Sequence, residues 1–405
     1  MRSFRRSPEK ILLPRGFTFA ALAADIKASG RPDLALAEAA GGANAAALFT
    51  TNRVVAAPVE VGREALVMSR GRVRALIVNS GNANCATGRA GIDGCKRVCR
   101  DAAKILGAPV ERIFPSSTGI IGVRFPAEKI TARLPELAAK RSATKNGVET
   151  FAQAIMTTDT RPKIATARFQ AEEREVTLLG IAKGAGMIHP QMATMLVYLF
   201  TDVEASAREL KNLLQESCAE SLNSMSIDGD TSTNDTVLLL GSGASGVSVR
   251  DATTRKKFAA VLTEVCRSLA EQIIGDGEGV QHVVRLHVAG AGSREEAMTV
   301  ARTIAHSALV KTAWAGADPN WGRILAAVGR SGVTIDPARV QIFIGDQRVC
   351  RNGSACSFNG KRAHRALAQP VCDVGVELGR GRESVRFLTT DLTAEYVRIN
   401  ADYST

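Results

Sequence analysis

The segment Lys183 to Leu196 reads KGAGMIHPQMATML, a glycine-rich half that runs into the apolar stretch Met195 to Phe200. Thr194 stands where this loop meets what the pattern predicts as a buried strand. A threonine hydroxyl attacks a carbonyl poorly until a base takes its proton, and the α-amino group of the same residue is such a base once the preceding peptide bond is broken. With a reference pKa of about 7.7 to 8.0, that amine keeps a usable neutral fraction near physiological pH. The same hydroxyl can make the break by attacking the Ala193 carbonyl, giving an ester through an N-to-O acyl shift that water then hydrolyses. The small Ala193 leaves that carbonyl accessible. An Ala-Thr pair ahead of an apolar strand is commonplace in itself, so the residues elsewhere in the chain decide. His189 offers an imidazole in the same loop, a group that on a loop more often has a structural role.

Around this segment, short β-like runs alternate with helical patterns, as expected of an α/β protein. Ala75 to Val78 reads as a buried strand entering NSGNAN (Asn79 to Asn84), whose small polar residues predict a loop. Leu210, Leu213, Leu214 and Cys218 mark one amphipathic helix; Phe258, Val261, Leu262, Val265, Leu269 and Ile273 mark another, which stops at Gly275-Asp-Gly-Glu-Gly279. Val237 to Leu240 and Val283 to Val288 read as strands. No repeat, low-complexity tract or proline-rich linker divides the 405 residues.

Composition narrows the classes. The 45% hydrophobic and 23% charged content suits a globular chain with a large core. The longest apolar runs have about six residues, against the ~20 of a membrane-spanning helix. A net charge of +12 is spread over scattered Lys and Arg without interleaved aromatics, so it predicts a solvated basic surface that attracts carboxylate-bearing small molecules rather than nucleic acid. Eight cysteines and no export signal predict free thiols in a reducing, cytoplasmic setting; Arg2, Arg5 and Arg6 with Ser3 and Ser7 suit a mitochondrial presequence, for which organised sequence from near Gly16 leaves little room. Cys85, Cys95 and Cys99 have no second cluster to complete a zinc site. Asp228, Asp230, Ser232 and Asn234 imitate the alternate spacing of a calcium loop, but Thr233 and Leu239 stand where it needs Gly and Glu. A loop bonded through its own side chains is expected there. GDGEG lacks the pattern of a phosphate cradle.

Several long motifs then appear in order. They are FTTNRVVAAPV (Phe49 to Val59), VNSGNAN (Val78 to Asn84), SSTGIIG (Ser116 to Gly122), MTTDT (Met156 to Thr160) and KGAGMIHPQMATML. Beyond Thr194 come DGDTSTNDT (Asp228 to Thr236), GDGEG (Gly275 to Gly279), DPNWGRILAAVG (Asp318 to Gly329) and YVRINADYST (Tyr396 to Thr405). With them the chain, from about Gly16 to Thr405, closely resembles the ornithine acetyltransferase, or glutamate N-acetyltransferase, family of the arginine pathway. That resemblance implies a layered α/β, N-terminal-nucleophile-like (DmpA/ArgJ-like) fold, cut into an α chain (1–193) and a β chain (194–405) that stay associated, in the family as an α2β2 heterotetramer.

The resemblance also implies residue roles. The oxyanion stabilisers fall on Thr118 and Gly119, whose hydroxyl and backbone N–H can both donate to a developing oxyanion. Substrate contacts fall on Thr157, Lys183, Thr194, Glu278, Asn400 and Thr405. Lys183 can pair with a carboxylate, Glu278 with an ammonium group, and the Asn400 amide with either. The implied reaction is a ping-pong transfer from N-acetylornithine to the Thr194 hydroxyl and on to L-glutamate. It needs no metal or cofactor, with acetyl-CoA a co-substrate in a bifunctional member. The chain departs from the family pattern at Val280, Gln281 and His282, at Ala317, and at FLTTDLT (Phe387 to Thr393). Other readings are a self-processing hydrolase with water as acceptor, a paralogue acting on another amino acid or acyl group, and a binding protein that is never cleaved.

Overall fold

The structure, a computed structural model, describes residues 10–171, 173–189 and 195–402. The first part of the chain runs β1 (Phe17–Leu22), β2 (Leu34–Phe49), α1 (Ala57–Met68), β3 (Arg72–Asn82), α2 (Gly88–Leu106), β4 (Ile113–Ile120), α3 (Ala127–Ala139), α4 (Lys145–Ala154), β5 (Lys163–Ala171) and β6 (Arg174–Lys183). Then follow β7 (Leu196–Thr201), α5 (Ala207–Ala219), β8 (Thr236–Gly241), α6 (Ala252–Ile274), β9 (Val283–Ala291), α7 (Arg294–Ala305), α8 (Ala308–Ala315) and α9 (Trp321–Gly329). The chain closes with β10 (Gln341–Ile344), β11 (Gln347–Arg351), β12 (Ser354–Ala355), α10 (Gly360–Leu367), β13 (Val371–Glu377), β14 (Glu383–Thr390) and α11 (Ala394–Asp402).

Two sheets result. Eight strands form the first in the order β4-β3-β2-β8-β7-β6-β5, with β1 paired to β2. Central strand β7, LVYLFT, is buried along its whole length, because its two faces enter different cores. Tyr198 and Phe200 pack with Phe17, Phe19 and Phe151 of β1 and α4 on one side. Val197 and Leu199 meet Leu210, Leu214, Phe258 and Leu269 of α5 and α6 on the other. These are the two amphipathic helices expected from sequence. Both carry side-chain caps, Ser206 in a full capping box and Asp251 accepting from Thr254 N–H, which fix where each helix starts. Helices α2 and α3 cover β1 and β3, with Cys95 and Cys99 on the buried face of α2.

The second sheet, β12-β11-β10-β13-β9-β14, lies wholly beyond residue 282 and has one face covered by α7 to α10. The layered α/β class is thus the one expected, while the second sheet went unmarked by composition. Among the described residues no helix is long and apolar enough to cross a membrane.

One local expectation fails. NSGNAN is not all loop, since β3 continues to Asn82 and pairs in parallel with β4, Ser80 against Thr118 and Gly81 against Gly119. Side chains sustain this irregular strand end: Asn79 donates to the Asn82 carbonyl at 2.8 Å and accepts from the Ser117 hydroxyl at 2.6 Å. Polar residues that suggest a loop are here spent on backbone partners.

Candidate active site

Strand β6 ends at Lys183, which pairs with Leu196 at the start of β7. Residues 184–195 therefore connect two adjacent antiparallel strands of one sheet. Beside them β8 runs parallel to β7, and β4 brings SSTG to the same end. Cross-links hold these strand ends together: Tyr198 Oη donates to Ser116 Oγ at 2.7 Å, and Asn234 Nδ2 donates to the carbonyls of Ala83 (2.7 Å) and Ser117 (2.9 Å). Gly119 has a φ of +131°, and a Cβ there would fall 2.4 Å from the Gly81 carbonyl carbon. Only glycine fits so close to β3.

Lys183 is 4% exposed. Its ammonium donates to Thr157 Oγ1 at 2.7 Å and to Thr118 Oγ1 at 3.2 Å, and lies 4.0 Å from Asp159 Oδ2. Burial lowers its pKa, while Asp159 opposes that shift. Burial would raise the pKa of Asp159, but Lys163 and Lys183 outweigh it and hold the carboxyl well below the usual range. Lys163, itself fully buried, donates to Asp159 and to Asp276 at 2.6 Å each. Asp159 also accepts the N–H groups of Gly184 (2.7 Å) and Thr157 (3.0 Å). This ion cluster ties MTTDT and the GDGEG turn to the end of β6.

Glu278 is set by the same turn. Its backbone N–H donates to the Ala185 carbonyl at 2.8 Å, and its carboxylate packs so closely on Gly186 that a Cβ there would lie 2.4 Å from an oxygen. Asn400 Nδ2, on α11, donates to Glu278 Oε2 at 2.9 Å. Asp228 accepts from the N–H groups of Met187 (2.5 Å) and Ile188 (2.9 Å) and from the Tyr396 hydroxyl (3.3 Å). Burial still pushes its carboxyl up to about 6. DGDTSTNDT is therefore an anchor for the loop, internally bonded as expected: Thr233 Oγ1 donates to Asn234 Oδ1 at 2.7 Å.

Thr118, Gly119, Thr157, Lys183, Glu278 and Asn400 all line one cavity of about 240 Å³, together with Gly186 and Met187 of the connection. Six of the residues expected from sequence thus meet in one place. Ala193, Thr194 and Thr405 lie outside the described residues. A larger hollow, about 970 Å³, lies against the open face of the second sheet near Arg285 and Arg386, away from these groups. The departures Val280 to His282, Ala317 and Phe387 to Thr393 are not among the cavity's lining.

Two further residues of the site, Asp159 in MTTDT and Asp235 in DGDTSTNDT, carry no mark in the sequence beyond their motifs. Asp235 is buried, and its Oδ1 accepts the Met195 N–H at 2.8 Å. Its Oδ2 has no hydrogen bond among the described residues; the Ser232 hydroxyl, which tempers its pKa, falls short of bonding geometry. Burial raises this carboxyl well above the ordinary range.

Residues 18–405 match the model of the ArgJ family. An "Arginine biosynthesis bifunctional protein ArgJ" of Methylococcus capsulatus is 44% identical over 96% of this chain and 95% of its own length. One of the same name from Thermotoga neapolitana is 42% identical over 98% of this chain and 100% of its own. A solved ornithine acetyltransferase of Mycobacterium tuberculosis, complexed with ornithine, is 36% identical with a TM-score of 0.38, over 44% of this chain and 92% of that chain. Matched along nearly its whole length, the chain belongs to the ArgJ family.

Proposed function

We propose that this chain is an acetyltransferase of arginine biosynthesis that cuts itself between Ala193 and Thr194 and moves an acetyl group from N-acetylornithine to L-glutamate on Thr194. The observation that carries this reading is the shared cavity, which Thr118, Gly119, Lys183 and Glu278 all line, with the Lys183 ammonium bonded to the Thr118 hydroxyl. The Thr194 α-amine takes the hydroxyl proton as Oγ1 attacks the acetyl carbonyl. Thr118 Oγ1–H and Gly119 N–H receive the oxyanion, donors typically worth ~10²-fold or more each. Collapse breaks the acetyl C–N bond, and the proton passes to the departing ornithine amine. Glutamate's amine then attacks the acetyl ester through the same states in reverse order.

Glu278 suits the ornithine ammonium, and Asn400 beside it can donate or accept as the substrate changes. The pairing of β6 with β7 supports chains 1–193 and 194–405 staying joined after the cut, since both supply strands to the first sheet. An α2β2 assembly and a cytoplasmic location belong to the same reading. The relatives' name, bifunctional, supports acetyl-CoA as a second acetyl donor. The acetyl group travels on the protein, so the route calls for no dissociable cofactor or metal.

The test is ornithine release from N-acetylornithine by purified protein, with and without glutamate. Release that requires glutamate and yields N-acetylglutamate is expected. Release that ignores glutamate would make the protein a hydrolase, and no response to N-acetylornithine would point to another acyl donor.

A further inference from the structure

An ammonium group can only donate hydrogen bonds. Lys183 therefore makes both Thr118 Oγ1 and Thr157 Oγ1 acceptors, at 3.2 and 2.7 Å. Each hydroxyl keeps a single hydrogen, and among the described residues neither donates it to another protein group. Both side chains line the cavity. The lysine thus fixes which way two hydroxyls can point, leaving the cavity as the direction open to their hydrogens.

Its charge is shared with a crowded partner. Asp159, the nearest carboxylate, is 4.0 Å away and already receives Lys163 and two backbone N–H groups. Asp276 receives Lys163 at 2.6 Å and faces Arg161 at 3.8 Å. Glu278 and Asp235 act on Lys183 from farther away than Asp159, and its ammonium stands directly behind the two hydroxyls. An ammonium so placed favours a developing anion in front of those hydroxyls.

We propose that Lys183 is a positioning residue for the oxyanion hole, acting on the reacting carbonyl through the hydroxyls of Thr118 and Thr157 rather than by pairing with a substrate carboxylate. Thr157 becomes a third donor beside Thr118 and Gly119. The inference rests on the acetyl-transfer reading above.

The test uses full-length protein carrying Lys183→Met and two acetyl donors, N-acetylornithine and p-nitrophenyl acetate, the second of which has no carboxylate. The expected result is a fall in kcat for N-acetylornithine of about 10²-fold with KM within about threefold, and a comparable fall in the rate of enzyme acetylation by p-nitrophenyl acetate. Adding Lys183→Met to the double variant Thr118→Val/Thr157→Val is expected to cost little further, because the lysine acts through those two hydroxyls. A raised KM with kcat kept, or unchanged acetylation by p-nitrophenyl acetate, would overturn the proposal in favour of carboxylate pairing.

Should the Lys183→Met chain remain uncut, its rate of self-cleavage becomes the readout, since the Ala193 carbonyl also belongs to no carboxylate-bearing substrate; slowing is expected and an unchanged rate contradicts. If that variant does not fold, Thr157→Val leaves the lysine in place and is expected to slow acetylation by p-nitrophenyl acetate about tenfold, with no slowing contradicting. Wild-type protein that neither donor acetylates overturns the acetyl-transfer reading itself. Acetylated wild type with an equally reactive Lys183→Met variant overturns only the role of the lysine.

Discussion

Asn400 Nδ2 donates to Glu278 Oε2 at 2.9 Å, so the last helix and the turn after α6 share one wall of the cavity. One carboxylate oxygen is thereby engaged, and among the described residues the other receives no hydrogen bond. Glu278→Gln keeps the shape and removes the charge. It is expected to lower kcat/KM for N-acetylornithine by about 10- to 100-fold, the worth of one hydrogen bond to a charged group, while self-cleavage continues. Steady-state kinetics and a denaturing gel on the same preparation check both halves.

Asp235 grips the amide that follows residue 194, through Oδ1 and Met195 N–H. Because burial favours its neutral form, Asp235→Asn is close to a mimic and is expected to change stability by less than about 1 kcal/mol. Asp235→Leu strands a buried N–H and is expected to cost about 1–3 kcal/mol. Denaturant midpoints of the two variants separate the cases.

Lys163 lies between Asp159 and Asp276, all three buried. Lys163→Met leaves two carboxylates facing each other without their cation. A loss of about 3–5 kcal/mol is expected, as for buried ion pairs that lose one partner. The unfolding midpoint in urea measures it, and Lys183, which relies on Asp159, should be disturbed with it.

His306 is held neutral first by burial, then by the charges of His189, Lys311, Arg302 and Arg330, with a pKa lowered from 6.5 to about 4. Its Nε2 lies 2.9 Å from Ser226 Oγ. The unfolded chain takes up this proton first as pH falls, so the residue's contribution is whole above pH 6.5 and is lost progressively toward pH 4. Wild-type Tm is expected to drop more steeply than that of His306→Gln across that interval. Parallel slopes would contradict the assignment.

Periodicity located the buried strand after Thr194 and both long helices, because each has a regular apolar face and a local stop signal. It missed the strand character of Asn79 to Asn82, whose hydrogen bonds come from side chains of β4 and from within the turn. The motifs delivered six residues of the cavity. Asp159 and Asp235 were invisible because their meaning lies in partners distant along the chain, Lys163 bridging to Asp276 and Asp235 reaching back to Met195. In the departure FLTTDLT, Thr389 and Thr390 accept from the buried Lys311, outside the cavity's lining.

On the proposed function, the backbone breaks before Thr194 and the freed residue carries the acetyl group. Intact mass of the purified protein, followed by rapid quench with N-acetylornithine in the absence of glutamate, tests it in one sample. Two chains are expected, 1–193 and 194–405, with the second alone gaining one acetyl group at its first residue, and a single unacetylated chain for Thr194→Ala. One intact wild-type chain, cleavage that persists in Thr194→Ala, or an acetyl group found elsewhere would contradict it.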